Sequence, residues 1–191
     1  MPFLEIEQEL WDPGNTRLTV LFDPGRIKRG LVPLRDSGPN LIEGRSYTLV
    51  IDKDWKDASG QPLTSEFRKP LRVAAPVRNA IDIAQWKLRT PAAGTRDPLV
   101  VTFARPLDYA LALRTITVTG TAGTVTVDRN ETEWRFTPAA PWTAGEYQLA
   151  VDTSLEDVAG NRVDRPFDVD TFTEVTKEIT TQTAALNFRV K

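Results

Sequence analysis

One stretch of the chain is written twice. Tyr47-Thr48-Leu49-Val50-Ile51-Asp52, Asp57, Gly60 and Phe67 return one hundred residues later as Tyr147-Gln148-Leu149-Ala150-Val151-Asp152, Asp157, Gly160 and Phe167. A fixed offset held over about twenty residues marks a duplicated structural unit, and it constrains the fold before any other feature does. Upstream the repeat continues at a different spacing. Leu18, Val20 and Phe22 map onto Leu99, Val101 and Phe103, an offset of 81. The offset therefore grows from 81 to 100 between the two blocks, and unit two carries nineteen further residues. They fall around Ile116 to Phe136, and their number matches a β-hairpin at roughly five to six residues per strand. Unit one thus reads as a shortened copy, or as one whose remaining strands come from residues outside this chain.

The repeated material is strand-like. Leu18, Val20 and Phe22 alternate with Arg17, Thr19 and Leu21; Trp134 and Phe136 alternate with Glu133 and Arg135; Tyr147, Leu149 and Val151 alternate with Gln148 and Ala150. A period of two, rich in threonine and β-branched residues, is the mark of half-buried strands. The 14 prolines and 11 glycines punctuate these runs at the spacing of an antiparallel sandwich or barrel. The expected fold is all-β, as two tandem antiparallel β-sandwiches. The expected boundary lies at Val73-Ala74-Ala75-Pro76, with a shortened domain over 1–75 and a full domain over 76–191. Each unit has an opening strand, Leu4–Leu10 and Ile81–Leu88. Asp108–Leu113 is expected to make a turn or two of helix, and Arg26–Leu31 to be too short for more. The endings Leu71-Arg72-Val73 and Phe188-Arg189-Val190 suggest one shared final strand. The stretch between Asp168 and Ala185 then reads as an added C-terminal β-ribbon, with a disordered tail as the alternative.

Composition removes much chemistry. The chain has no histidine and no cysteine. Ser-His-Asp and Cys-His catalysis, imidazole metal sites, thiolate metal sites and disulfides are therefore excluded. A net charge of −2 from 24 basic and 26 acidic residues offers no electrostatic case for nucleic acid. No apolar run approaches a membrane span. Met1–Glu5 lacks the basic and apolar regions of a signal peptide, so the expectation is that an upstream region of the same polypeptide is missing here.

The sharpest motifs are Asp57-Ala58-Ser59-Gly60 and Asp157-Val158-Ala159-Gly160-Asn161. An aspartate that accepts backbone hydrogen bonds, followed by a glycine free to take positive φ, is a turn. Calcium is the functional alternative, because Asp152, Glu156, Asp157 and Asn161 crowd several oxygens into ten residues. The alternating acidic loop and distal glutamate of an EF-hand are absent, and the turn reading is preferred. Five tryptophans, Trp11, Trp55, Trp86, Trp134 and Trp142, could stack on sugars. Trp86 and Trp134 sit in alternating runs and are expected in the core, whereas Trp55 and Trp142 lie beside turns and are the better surface candidates. Carboxylate pairs, Glu131 with Glu133 or Asp152 with Asp157, are the remaining route to glycoside hydrolysis, and are read as exposed turn acids instead.

Taken together, the strand ending in Phe103 before Pro106, Ile116-Thr117-Val118, Trp134-Arg135-Phe136-Thr137-Pro138, Gly145-Glu146-Tyr147 and Asp157-Val158-Ala159-Gly160-Asn161 resemble the bacterial Ig-like modules of S-layer and other envelope proteins. The match covers residues 95 to 165. In unit one it covers only the first strand and Glu43–Leu63, where Gly60-Gln61 replaces Gly-Asn and the Gly-to-Tyr spacing slips by one residue. The resemblance implies immunoglobulin-like sandwiches at the cell envelope or outside the cell, serving as a spacer, stalk or adhesion module. It implies no catalytic residue, cofactor or metal, and a protein or glycan at the cell surface as partner. A carbohydrate- or protein-binding module is the alternative.

Overall fold

The structure, a computed structural model, describes residues 3–7, 9–56, 59–163, 165–167 and 182–191. It is mostly β, with antiparallel sheets and two short helices. The chain divides into two compact units. Unit one comprises Met1–Trp11 and Leu18–Val77; unit two comprises Asp12–Arg17 and Arg78–Lys191.

Unit one begins with two short paired strands, β1 (Leu10–Trp11) and β2 (Leu18–Thr19), extended by a bridge from Phe3 to Phe22. A 3₁₀ turn at Pro24–Arg26 follows, capped by the Asp23 carboxylate accepting from Gly25 N at 2.8 Å. Helix α1 (Val32–Ser37) then leads to a second pair, β3 (Ser46–Ile51) and β4 (Phe67–Arg72). The helix lies beyond Arg26–Leu31, where the sequence suggested a single turn. Pro33 in its first turn and Gly38 at its end, at φ 71°, set its bounds.

Among its described residues unit two has seven strands: β5 (Lys87–Arg89), β6 (Leu99–Thr102), β7 (Ile116–Val118), β8 (Gly123–Asp128), β9 (Glu133–Pro138), β10 (Gly145–Asp152) and β11 (Thr183–Val190). One sheet has the order β5-β6-β9-β8 and the other β11-β10-β7, with every pairing antiparallel. The opener is mostly not a strand. Ile83–Gln85 forms a 3₁₀ turn, because the Asp82 side chain accepts from Ala84 N and closes the chain on itself. Helix α2 (Tyr109–Thr115) crosses between β6 and β7, capped by Asp108 accepting from Leu111 N at 2.8 Å. The nineteen extra residues hold three strands, not the two of a hairpin. β7 joins one sheet while β8 and β9 join the other.

The two sheets of unit two share one apolar core. Leu99, Val101, Trp134 and Phe136 come from one sheet; Ile116, Val118, Leu149, Val151, Phe188 and Val190 come from the other. That layering fits a β-sandwich. Trp134 is fully buried, stacked on Phe136 at 6.1 Å between ring centroids. Tyr147 is half-buried and packs against this core. Gly123 of β8 leaves no room for a side chain: a Cβ there would clash with Thr137 O and the Phe136 ring of β9.

Tyr47 lies opposite Leu71, and Tyr147 opposite Phe188, so the two endings occupy one register. Of the expected ribbon between Asp168 and Ala185, Thr183 to Ala185 continue β11, and residues 168–181 lie outside the described residues. Both tyrosines anchor a corner. Tyr147 Oη donates to Thr143 O at 3.1 Å and accepts from Thr143 N; Tyr47 Oη accepts from Ile42 N at 3.1 Å. The anchor lies four residues upstream in unit two and five in unit one. The corner absorbs the one-residue slip seen in the sequence.

Trp134 yields a test of the core. Its Nε1–H is buried without an acceptor, a penalty of about 1–3 kcal/mol. Trp134→Ala is expected to lower unfolding free energy by about 3–5 kcal/mol. Trp134→Phe, which removes the unpaired donor and keeps a ring, should cost clearly less. Equal losses for the two variants in denaturant titrations would contradict this packing.

Candidate functional site

The calcium reading can be set against the geometry at Asp157. Its carboxylate is almost fully buried, and protein donors surround it. Oδ1 accepts from Ala159 N and Asn161 N, each at 2.9 Å, and Asn161 Nδ2 donates to Oδ2 at 2.9 Å. Arg105 Nε approaches Oδ2 at 2.8 Å. A guanidinium therefore already neutralises the carboxylate, through one charge-assisted contact at Oδ2. Asn161, also fully buried, turns its Oδ1 to Phe167 N at 3.0 Å. Gly160 takes φ 81° beneath the Phe167 ring, and a Cβ there would meet that ring at 2.8 Å. The motif is a sealed turn that ties the region after β10 to the loop after β6.

The other two oxygen donors are engaged elsewhere. Glu156 pairs with Arg162 at 2.8 Å. Asp152 accepts from Ser154 N at 2.8 Å, which holds its carboxyl below the usual 3.8. Asp52 makes the same turn with Asp54 N at 2.9 Å. No group of three acidic, histidine or cysteine side chains is arranged to hold a metal ion among the described residues. Asp57 lies outside the described residues; Gly60 beside it keeps the left-handed φ, at 77°.

Neither carboxylate pair converges on a cavity. Glu133 is buried and bound by Arg135 Nε at 2.6 Å and by Arg129 Nε at 3.3 Å. Glu131 accepts from Arg17 at 2.7 Å. The pair flanks a tight β8–β9 loop in which Arg129, Asn130 and Glu131 all have φ between 53° and 61°. That loop is strained for L-residues, and the ion pairs with Glu133 and Glu131 hold it in place. Asp152 is exposed while Asp157 is buried, so those two serve separate turns.

The tryptophans divide differently from the sequence reading. Trp86 and Trp134 are core residues as expected. Trp142, expected at the surface, is buried. Its Nε1 donates to Asp97 O at 2.8 Å, and its ring meets Tyr147 edge-on at 5.0 Å. A turn position does not prevent burial when the ring's one polar atom finds a carbonyl. Trp55 is half-buried and stacks on Trp11 at 6.0 Å with an interplanar angle of 20°. Trp11 is 40% exposed. No short-range signal could have paired residues so far apart in sequence. Arg105 was missed as well; its place just after Phe103 and before Pro106 is its only mark. Arg105 also donates to Asn79 O at 2.7 Å, fastening the start of unit two to the same turn.

An open depression lies along Thr119, Gly120, Thr121, Glu146, Tyr147, Gln148 and Asn187. It contains one carboxylate, and that carboxylate lies 3.5 Å from Arg189. A single solvated acid supplies no acid–base pair.

Two outcomes check this account. Arg105→Met leaves the Asp157 charge buried without its cation and should cost about 3–5 kcal/mol. Adding Asp157→Asn to Arg105→Met should recover part of that loss; an additive loss would show that the pair is not coupled. Asp152 is a lowered carboxyl, so its contribution is full above its unfolded value and disappears as pH falls through its folded one. Asp152→Asn should therefore narrow the stability difference between about pH 7 and pH 3, read as the change in thermal midpoint. An unchanged acid slope would count against the Ser154 hydrogen bond.

No known protein family, no curated protein and no solved structure matches this chain.

Proposed function

We propose that the chain is a non-enzymatic Ig-like spacer and adhesion module of a bacterial envelope or secreted protein. The observation that carries this reading is the strand order of unit two. With β5 to β11 lettered A to G, the sheets are A-B-E-D and C-F-G. That is the order of the constant-type immunoglobulin sandwich. The Tyr147 corner at the start of the sixth strand supports the same reading, since such corners recur at this place in that fold. Unit one carries counterparts of A, B, F and G and of the corner, as a shortened copy of the same module would. Asp152, Glu156, Asp157, Glu131 and Glu133 are committed to turns and ion pairs, and the inward apolar residues of unit two to cohesion. A mechanical role uses that allocation directly, and the eight-residue pairing of β10 with β11 resists separation along its length.

A chain stretched from its two ends should show one discrete high-force unfolding event for unit two. Smooth extension without such an event would remove the spacer role. The stacked Trp11–Trp55 pair, with one ring half in solvent, favours a second reading as a glycan-binding module. That reading requires binding on a glycan panel that Trp11→Ala abolishes; a spacer shows none.

A further inference from the structure

The two units differ at their counterpart positions in one consistent way. In unit two, Val101 and Phe103 are 0% and 4% exposed; their counterparts Val20 and Phe22 are 41% and 37% exposed. Leu149 and Val151 are fully buried, while Leu49 and Ile51 are only half-buried. Among the described residues of unit one, none is fully buried. The strands that cover these positions in unit two are β7, β8 and β9, and unit one has no residues for them.

The duplication also shows where a covering strand would attach. In unit two, β7 pairs with β10, with Val118 opposite Leu149 and Ile116 opposite Val151. Thr119 N donates to Gln148 O at 2.9 Å, so the groups of Gln148 and Ala150 face β7. One hundred residues earlier these positions are Thr48 and Val50. In unit one Val73 N donates to Arg45 O at 2.9 Å, so odd-numbered residues of β3 bond to β4. The backbone groups of Ser46, Thr48 and Val50 thus face the other way, toward an edge with no paired strand among the described residues.

The two edges of this ribbon are unlike. β4 reads Phe67-Arg68-Lys69-Pro70-Leu71-Arg72, basic and interrupted by a proline opposite Thr48. Lysine, arginine and proline on an edge are devices that discourage strand addition. Ser46–Ile51 carries neither charge nor proline. Arg45 precedes it and Asp52 follows it, both exposed. An antiparallel strand laid here would enter beside Asp52 and leave beside Arg45.

From this we infer that the outer edge of β3 receives an extended strand from another polypeptide. That strand is apolar at alternate positions like Ile116-Thr117-Val118, preceded by a basic residue and followed by an acidic one. It adds antiparallel and supplies the third strand of the half-built sheet.

The test uses the full chain and a capped peptide with the sequence of residues 114–121, Arg-Thr-Ile-Thr-Val-Thr-Gly-Thr. Saturable binding is expected, with slowed amide exchange at Thr48 and Val50. An acidic residue in place of the last threonine should tighten it. A peptide carrying Thr117→Pro should bind about tenfold or more weakly, the equivalent of one lost backbone hydrogen bond. Val50→Pro in the protein should do the same. No binding, or binding indifferent to proline in the peptide, would overturn the proposal. So would a chain that sediments as a dimer with Thr48 and Val50 amides already protected, because a second copy would then own the edge.

Discussion

The structure rests on one condition: the apolar faces of β6 and β9 must meet those of β7 and β10. Neither sheet of unit two is wide enough to bury its own side chains. Leu99, Val101 and Trp134 reach zero exposure only because Leu149, Val151 and Ile116 stand across from them in the same core. Burial of apolar area at about 25 cal/mol per Å² is the main favourable term in folding, and here it requires strands distant in sequence. Turns, caps and ion pairs then have the task of bringing those strands to the right places. The Arg105–Asp157 pair illustrates it, since Arg105 lies in the loop after β6 and Asp157 in the turn after β10.

That division of labour shows in how the acidic motif spends its oxygens. A hard cation needs several oxygens with open coordination. The oxygens of Asp157 already accept from two backbone amides, an asparagine amide and a guanidinium. Four donors around one buried carboxylate are a fully satisfied network, which rigidifies a turn. The neighbouring acids, Asp152 and Glu156, have separate partners and do not join it.

Much of this was legible in the sequence, and the failures have identifiable causes. The all-β class followed from period-two alternation in runs such as Glu133–Phe136. The shared final strand followed from Leu-Arg-Val and Phe-Arg-Val, and the register of Tyr47 with Leu71 and Tyr147 with Phe188 agrees. The core tryptophans 86 and 134 were placed correctly by the same alternation. Trp142 was not, because burial beside a turn depends on Asp97 O, a partner forty-five residues away. Three strands were read as a hairpin because alternation does not say which sheet a strand joins. The helix of unit one was misplaced because its bounds come from Pro33 and Gly38, which lie beyond the segment aligned with Asp108–Leu113.

Among the described residues, unit one builds only two-stranded sheets. Its helix, its tyrosine corner and its two strand pairs form without β7 to β9, so local signals suffice for local structure. The core does not follow, as the exposure of Val20 and Phe22 shows. A sheet of two strands is marginal by itself, and its free edges are open to any strand of suitable pattern. The asymmetry between β3 and β4 bears on this. Loss of a β7-like strand would expose an edge that a full sheet never has to guard, and would leave the outer edge as it was. Here the edge that lies at the outside of the sheet in unit two, that of β11, corresponds to the basic, proline-bearing β4, and the edge that pairs with β7 in unit two corresponds to the uncharged β3. Charge and proline guard the edge strand β4, and neither stands on β3.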